Sequence, residues 1–451
     1  MSKIRLHGSS SGYTEIAPVA ASGNNTLTLP NDGTIISKDA AGAVGVTSVH
    51  TTNITATGIA TITTAKIGAG VTISESGIEA SGIGITCANI NGTQIGGRRN
   101  IIINGAMNVA QRGTSSTSTG YQTVDRFQVQ FSGTDEAPTQ AQVDLSSGDT
   151  PYTLGFRKSL KVTNGNQTSG AGAADYCSIS YKLESQDISN SGWNYLSSSS
   201  NITLSFWVKS SVAQNFYGYL YANNGSRLRS FETGSLTADT WTKVTKTISG
   251  DSNLSFNNDN AQGLQIHITQ FWGTDYTDGS HSLNTWGALD NSSRTPNNTS
   301  TWYTTNDATF ELTGLQLEVG SQATPFEHRS YGEELSLCQR YFQVIAKGSD
   351  GTSGARSPLV SGQMWGTTGF YGVLPLKTKM RTLPSLDVVN GTDYWQVYNN
   401  TTDTCDTLAY NNASPDAITL YLSGNLSGTA YVGGWSRTNN AAAFVAAKSE
   451  L

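Results

Sequence analysis

Ile202-Thr-Leu-Ser-Phe-Trp-Val208, followed a few residues later by Phe216-Tyr-Gly-Tyr-Leu-Tyr221, is the stretch that decides the fold. Both runs are rich in the β-branched and aromatic residues that suit a pleated, half-buried surface. Both are bounded by the Ser, Asn and Gly residues that make turns. Working outward, similar runs precede them at Leu160-Lys-Val162 and Ser178-Ile-Ser-Tyr-Lys-Leu183. Others follow at Trp241-Thr-Lys-Val244, Leu264-Gln-Ile-His-Ile268 and Phe310 through Val319. Seven such runs with no convincing helix between Asn100 and about Phe326 predict an antiparallel β-sandwich of the jelly-roll kind. One long interruption, Gly273 to Ala308, holds Tyr276, Trp286, Trp302 and Tyr303 among Asn, Ser and Thr. A loop of that length in a compact domain is usually functional or partly structured.

Downstream, Ser330 through Phe342 carries a helix signature. Ser330 is placed to cap the helix with Glu333 three residues later, and Leu335, Cys338 and Phe342 follow at helical spacing. From 343 to 451 strands return at Val388, Tyr394 to Tyr398, Ile418 to Leu422 and Tyr431, predicting a second, smaller β-sandwich. Upstream, the first 96 residues hold no Trp, no Phe and one Tyr, Tyr13. So few large side chains can scarcely build the core of a single chain. Yet Ile67, Val71, Ile73, Ile78, Ile83 and Ile85 recur between glycines, which predicts short strands and turns. Three identical chains, each giving one Ile or Val per crossing to a shared axis, would close such strands into a prism without free edges. A flexible Gly/Ser/Thr linker is the competing explanation. The expectation is an all-β chain: a leading segment (1–35), a trimeric β-prism or β-helical shaft (36–96), a jelly roll (97–329), a connecting helix (330–342) and a C-terminal β-sandwich tip (343–451).

Only 13% of the 451 residues are charged, against about 25% in ordinary soluble domains, so neutral Ser, Thr, Asn and Gly must coat the surface. Nine Trp and 19 Tyr exclude wholesale disorder. Net charge is −6 with no basic block, and Arg98-Arg99 is an isolated pair, which excludes nucleic-acid binding. The longest apolar run, Ala441 to Ala447, is far short of the roughly 20 residues that cross a bilayer, and no signal peptide opens the sequence. Cys87, Cys177, Cys338 and Cys405 show no CxxC or CxxH spacing, so free buried thiols are expected and a zinc site is not.

Two segments carry a family resemblance. Asn100 through Gly113, with Tyr121 and Asp125-Arg-Phe127, resembles the opening of distal tail-fibre domains of phages and prophages. So does Phe310 through Gly320 running into Ala323 through Leu335 and Cys338-Gln-Arg-Tyr341. The sandwich between them is similar to carbohydrate-binding jelly rolls, notably at Ile202 to Ser210. Gly12-Tyr13 and Thr26-Leu-Thr-Leu-Pro30 resemble an element in structural proteins of marine and cyanobacterial phages. The resemblance implies a homotrimeric fibre in a virion, made in the host cytoplasm and released by lysis. Its N-terminus would join a tail adaptor or tail tube protein, and its far end would meet host polysaccharide or lipopolysaccharide.

Catalytic chemistry is hard to place. Gly8-Ser-Ser-Ser-Gly12 fits a nucleophile-elbow pattern but sits in a small-residue tract with no strand–turn–helix setting. The histidines at 7, 50, 267, 281 and 328 form no metal-binding pair. His267 lies between Ile266 and Ile268 on a strand and points to the opposite face, as a solvated or interface imidazole. Asp275, Asp278 and Asp290 are read as surface turn residues, with calcium ligation or catalysis as alternatives; no other cofactor is expected. The chain is therefore expected not to be an enzyme. Sugar binding asks for less: a flat ring against a pyranose face, with amides or carboxylates for the hydroxyls. Candidates are Tyr276, Asp278, Asn284, Trp286 and Trp302 in the sandwich loop, and Tyr394, Trp395, Asn399 and Trp435 in the tip. Core packing is the competing explanation for each. Trp207 and Trp241, on strong strands, are assigned to the core.

Overall fold

Period-two alternation sorts each strand of the middle region into an inward apolar row and an outward mixed row, and two sheets stack on the apolar rows. The computed structural model describes residues 4–7, 12–16, 64–67, 71–74, 77–80, 89–90, 93–94, 99–277, 282–351 and 354–451. In chain order the main sandwich strands are β1 (Phe127–Ser132), β2 (Thr139–Asp144), β3 (Lys158–Thr163), β4 (Tyr176–Glu184) and β5 (Asn201–Ser210). They continue as β6 (Asn215–Ala222), β7 (Arg227–Ser235), β8 (Thr242–Ser249), β9 (Gln262–Trp272) and β10 (Thr309–Val319). The first sheet has the order β8-β5-β10-β3-β2, with the short strand Ser115–Ser116 at its edge. The second has Gly287–Ala288 at one edge and then β7-β6-β9-β4-β1. Neighbours pair antiparallel throughout both sheets. The all-β sandwich expected from the sequence is present.

Leu204, Phe206 and Val208 of β5 and Leu312, Leu315 and Leu317 of β10 meet Ile179 and Leu183 of β4 and Leu264, Ile266 and Ile268 of β9 in one buried core. Each such side chain contributes about 1.5–3 kcal/mol by leaving water. A β-bulge interrupts β9. Thr269 pairs with Ser178 and Phe271 with Cys177, so Gln270 is one residue extra. That insertion inverts the alternation: Phe271 enters the core and Trp272 turns outward. One-turn helices at Thr150–Thr153, Ser185–Ser189 and Thr301–Thr304 correct the expectation of a helix-free middle region; they are too short to leave a periodic signal.

Helix α1 (Tyr331–Gln339) begins where expected, with the Ser330 side chain accepting the Glu333 N–H at 3.3 Å. It stops short of Phe342, which instead opens β11 (Phe342–Lys347) by pairing with Lys448. The remaining strands are β12 (Pro358–Met364), β13 (Phe370–Pro375), β14 (Ser385–Val389), β15 (Trp395–Asn399) and β16 (Thr401–Cys405). They end with β17 (Thr407–Ser414), β18 (Ala417–Ser423), β19 (Gly433–Thr438) and β20 (Phe444–Lys448). A three-stranded sheet, β11-β20-β14, accompanies a seven-stranded one, β16-β15-β19-β12-β13-β18-β17. Met364, Phe370, Trp395, Val397, Leu420 and Leu422 fill their shared core.

The two segments that carry the tail-fibre resemblance meet and tie the sandwich to this C-terminal domain. Asn100 and Arg99 donate their backbone N–H groups to Glu327, Asn104 donates to Glu334, and Arg329 donates to the Asn100 and Ile102 carbonyls. The Arg126 guanidinium lies 3.4 Å from the centre of the Tyr341 ring and 2.9 Å from Glu450. Glu184 of β4 binds Arg340 at 2.7 Å and accepts the Tyr341 hydroxyl at 2.5 Å. Burial works against ionising Glu184, but these hydrogen bonds outweigh it and hold the carboxyl below its usual range. Cys177, Cys338 and Cys405 are free and buried.

Met1–Thr86 form a separate unit. Ile4–His7 pairs antiparallel with Tyr13–Ile16, and Thr64–Ile67, Val71–Ser74 and Gly77–Ala80 make a three-stranded antiparallel sheet with Ile73 opposite Ile78. Strands therefore occur at Ile67, Val71, Ile73 and Ile78, where the Ile/Val recurrence places them. Ile83 and Ile85 lie outside the described residues, as do Cys87, Arg98, His50, His281 and most of the 1–35 segment and of the 36–96 stretch expected as a shaft.

Candidate functional site

On β6, Phe216, Leu220 and Ala222 enter the core, which turns Tyr217, Tyr219 and Tyr221 to the outer face of the second sheet. Across the ladder Tyr219 pairs with His267 and Tyr221 with Gln265 on β9. Those residues pair in turn with Ser180 and Lys182 on β4, and Ser180 with Gln128 on β1. The bulge at Gln270 adds Trp272, whose ring stacks on Tyr176 with centroids 4.8 Å apart and planes at 23°. Tyr276 stands edge-on to both. Such pairs are worth about 0.5–1.5 kcal/mol beyond the area they bury, which fixes their geometry. The His267 ring stacks on Tyr219 at 4.3 Å, with Nδ1 3.1 Å from Ser178 Oγ. Burial, then the positive charges of Arg294 and Lys182, bring its pKa down to about 3, so it is a neutral imidazole at any physiological pH.

The long loop after β9 covers part of this face, and two candidate tryptophans position it. Trp286 inserts into the sandwich core and donates its indole N–H to the Ser249 carbonyl at 2.9 Å. Trp302 is wholly buried and donates to the Thr309 carbonyl at 3.1 Å. Between them the chain lays Leu289, Asn291 and Arg294 over the sheet. Arg294 donates its backbone N–H to Tyr276 at 2.8 Å and an Nη2 proton to Asn291 at 2.9 Å. Its guanidinium sits 4.9 Å from the centroid of Trp272 and 5.2 Å from that of Tyr276. The result is an open cleft of about 380 Å³ walled by Tyr176, Tyr219, Tyr221, Trp272 and Tyr276, with Gln130, Lys182, Gln265, Asn291 and Arg294 supplying hydrogen-bonding groups. Small-ligand sites span about 300–1,000 Å³. Tyr176, Tyr221 and Tyr276 are half-buried and reachable, while Trp272 and Tyr219 are buried behind them as support.

Of the residues singled out in the sequence, Tyr276 lines this cleft. Asp278 lies outside the described residues. Asn284 is exposed, with a left-handed φ of 62°, and donates its N–H to Ser230 at 2.8 Å without lining the cleft. Trp286 and Trp302 are corrected from ligand candidates to core anchors because their indole N–H groups are satisfied inside the protein. The same correction applies to Trp395, wholly buried with its N–H on Asn390 at 2.8 Å. It applies also to Asn399, buried with its amide on the Thr429 and Val432 carbonyls at 3.3 Å. Tyr394 packs half-buried against the C-terminal core. Trp435 remains open at 38% exposure, stacked on Tyr398 with centroids 5.8 Å apart and with Arg437 5.0 Å from its ring. Trp207, assigned to the core, is half-buried on the outside of the first sheet against Trp241 and Phe156. His267 does face away from Ile266 and Ile268, but it is 4% exposed and not solvated, since Tyr219 covers it. Asp275 is exposed, and among the described residues no three His, Cys, Asp or Glu side chains group to hold a metal ion. The alternating tyrosines at 217, 219 and 221 were the available signal for the cleft; Trp272 and Arg294 had none.

No family model and no curated protein matches this chain. Among solved structures it is similar to the enzymatically active domain of tailspike protein 4 of bacteriophage CBA120, at 9% identity and a TM-score of 0.26, over 49% of this chain and 21% of that one. It is similar also to a xylan-binding CBM22-1 domain from Paenibacillus barcinonensis, at 12% identity and a TM-score of 0.22, over 47% of this chain and 94% of that one. A third is an exo-β-agarase, at 8% identity and a TM-score of 0.24, over 67% of this chain and 40% of that one. Likeness at this level assigns neither ligand nor activity. It does correct the expectation that the chain is not an enzyme: two of these three structures are enzymes, so catalysis is no longer excluded. Among the described residues no helix is long and apolar enough to cross a membrane.

Proposed function

We propose that this chain is a receptor-binding fibre of a phage tail, and that the cleft on the second sheet of the sandwich holds a glycan of the host surface. The observation that carries the reading is the convergence of five aromatic rings with amide, guanidinium and ammonium groups on one open sheet face. Rings meet the apolar face of a pyranose, and the polar groups take its hydroxyls. The fibre part is supported by the resemblance at 100–127 and 310–341. The scarcity of bulky side chains in the first 96 residues supports a homotrimer, in which partner copies supply the missing interior. In this reading residues 1–35 face the tail adaptor or tube, and the host ligand is surface polysaccharide or lipopolysaccharide. A single weak site at millimolar affinity is worth about −4 kcal/mol, and simultaneous engagement of several raises avidity by about 10² to 10⁴.

The test is a glycan array probed with the full chain and with Tyr176→Ala and Tyr221→Ala variants, beside light scattering. The wild type is expected as a trimer that binds surface glycans, with each variant weakened by about tenfold, or 1.4 kcal/mol. A full chain that binds no glycan and stains no susceptible cell defeats the binding reading; a monomer at micromolar concentration defeats the fibre. Scoring the same array for new reducing ends separates binding from cleavage.

A further inference from the structure

The cleft collects positive charge in a chain whose net charge is −6. Lys182 and Arg294 both line it, and among the described residues no Asp or Glu does. Arg294 is in no ion pair among the described residues and donates to the neutral amide of Asn291, while Lys182 donates to an oxygen of Leu451, the last residue of the sequence, at 3.0 Å. The buried Nε–H of Arg294 has no acceptor at all. Glu450, the acid whose charge reaches Lys182, is already engaged by Arg112 at 3.1 Å and Arg126 at 2.9 Å. A half-buried guanidinium without counter-charge is costly to hold, and apolar walls strengthen its field in the space it faces. The same field is felt by His267, which both cations help to keep neutral.

We infer that the glycan taken by this cleft is acidic, with a carboxylate or sulfate group of the polysaccharide seated against Arg294 and Lys182. This rests on the glycan-binding reading above and narrows it to a ligand class. Arg294 is held over Trp272 and Tyr276, so an anion bound to it lies beside the rings that would carry the sugar. Arginine suits this task because its fixed fork of donors matches an oxyanion.

The experiment is equilibrium binding of the full chain to a panel containing a polyuronide, the same polymer after carboxyl reduction, a sulfated galactan and a neutral galactan, each at about 50 and 500 mM NaCl. Variants Arg294→Gln and Lys182→Gln are run in parallel, the second leaving the loop that carries Arg294 intact. The expected result is binding to acidic members, at least tenfold weaker at high salt, tenfold or more weaker in either variant, and lost on carboxyl reduction. The polyuronide and sulfated arms separate carboxylate from sulfate. Equal binding to neutral and acidic members, or affinity unchanged in both variants, overturns the inference while leaving the glycan reading standing. No binding to any glycan, on this panel or the array, overturns both.

Discussion

At the scale of single residues, burial decides which aromatic side chains are left open and which serve as scaffold. Tryptophans in a polar loop look alike in a sequence. Trp286 and Trp302 are buried with their indole N–H groups on the Ser249 and Thr309 carbonyls, whereas Tyr276 stays half-buried at the cleft. His267 shows the same dependence on surroundings. The unfolded chain takes a proton on this residue near pH 6.5, whereas the folded protein withholds it down to about 3. Its folded pKa is depressed, and the protonated form of a histidine is the charged one. Stability is therefore fully present above about pH 6.5 and declines as the pH falls toward 3, on the order of 1 kcal/mol per pH unit. Urea melts at pH 7, 5 and 4 should show a steeper acid slope for wild type than for His267→Gln. Equal slopes would mean that the imidazole is not the group responsible.

At the scale of elements, the strands themselves were legible and their faces partly so. The runs at 178–183, 202–208, 216–221 and 264–268 all became strands of the sandwich, because alternation and β-branching are local properties. Which face would be core was harder. Phe216 and Leu220 compete with Tyr217, Tyr219 and Tyr221 for the inward position, and only the opposite sheet settles it. The Gln270 bulge was invisible, since one extra residue changes no composition; the alternation from Leu264 to Ile268, continued unbroken, sends Trp272 inward. Deleting Gln270 removes the extra residue and keeps Thr269 opposite Ser178 and Phe271 opposite Cys177, so Phe271 still faces the core and Trp272 the cleft. The expected outcome is a folded protein that keeps the Tyr176–Trp272 stack and most of its glycan affinity, while Tyr276→Ala lowers affinity. Lost affinity in a folded deletion variant, judged by near-ultraviolet dichroism and the array, would show that the bulge itself shapes the site. Helix α1 illustrates the opposite limit, where the Ser330 cap was readable but the competing strand pairing of Phe342 with Lys448 was not.

At the scale of the whole molecule, the segments that carry the family resemblance turn out to be joints. Arg126 is 1% exposed, with its charge met by Glu450, and Arg340 by Glu184. A buried pair contributes little over an apolar substitute, but breaking one side strands the other. Glu450 also pairs with Arg112 at 3.1 Å. Glu450→Gln should therefore cost about 3–5 kcal/mol in denaturant melts, and the triple variant Arg112→Met, Arg126→Met and Glu450→Leu should recover most of it. A loss below about 1 kcal/mol in the single variant would remove the joint from the account. Arg126 and Glu450 stand 324 positions apart in the chain. At about 5–20 residues per second a ribosome needs roughly 15–65 s to travel from one to the other. Until it does, the nascent sandwich harbours a guanidinium with its counter-charge still untranslated. A message broken or stalled before that codon yields a product that carries its own mark of incompleteness, a buried charge left unmet, and is more open to proteolysis than the finished chain.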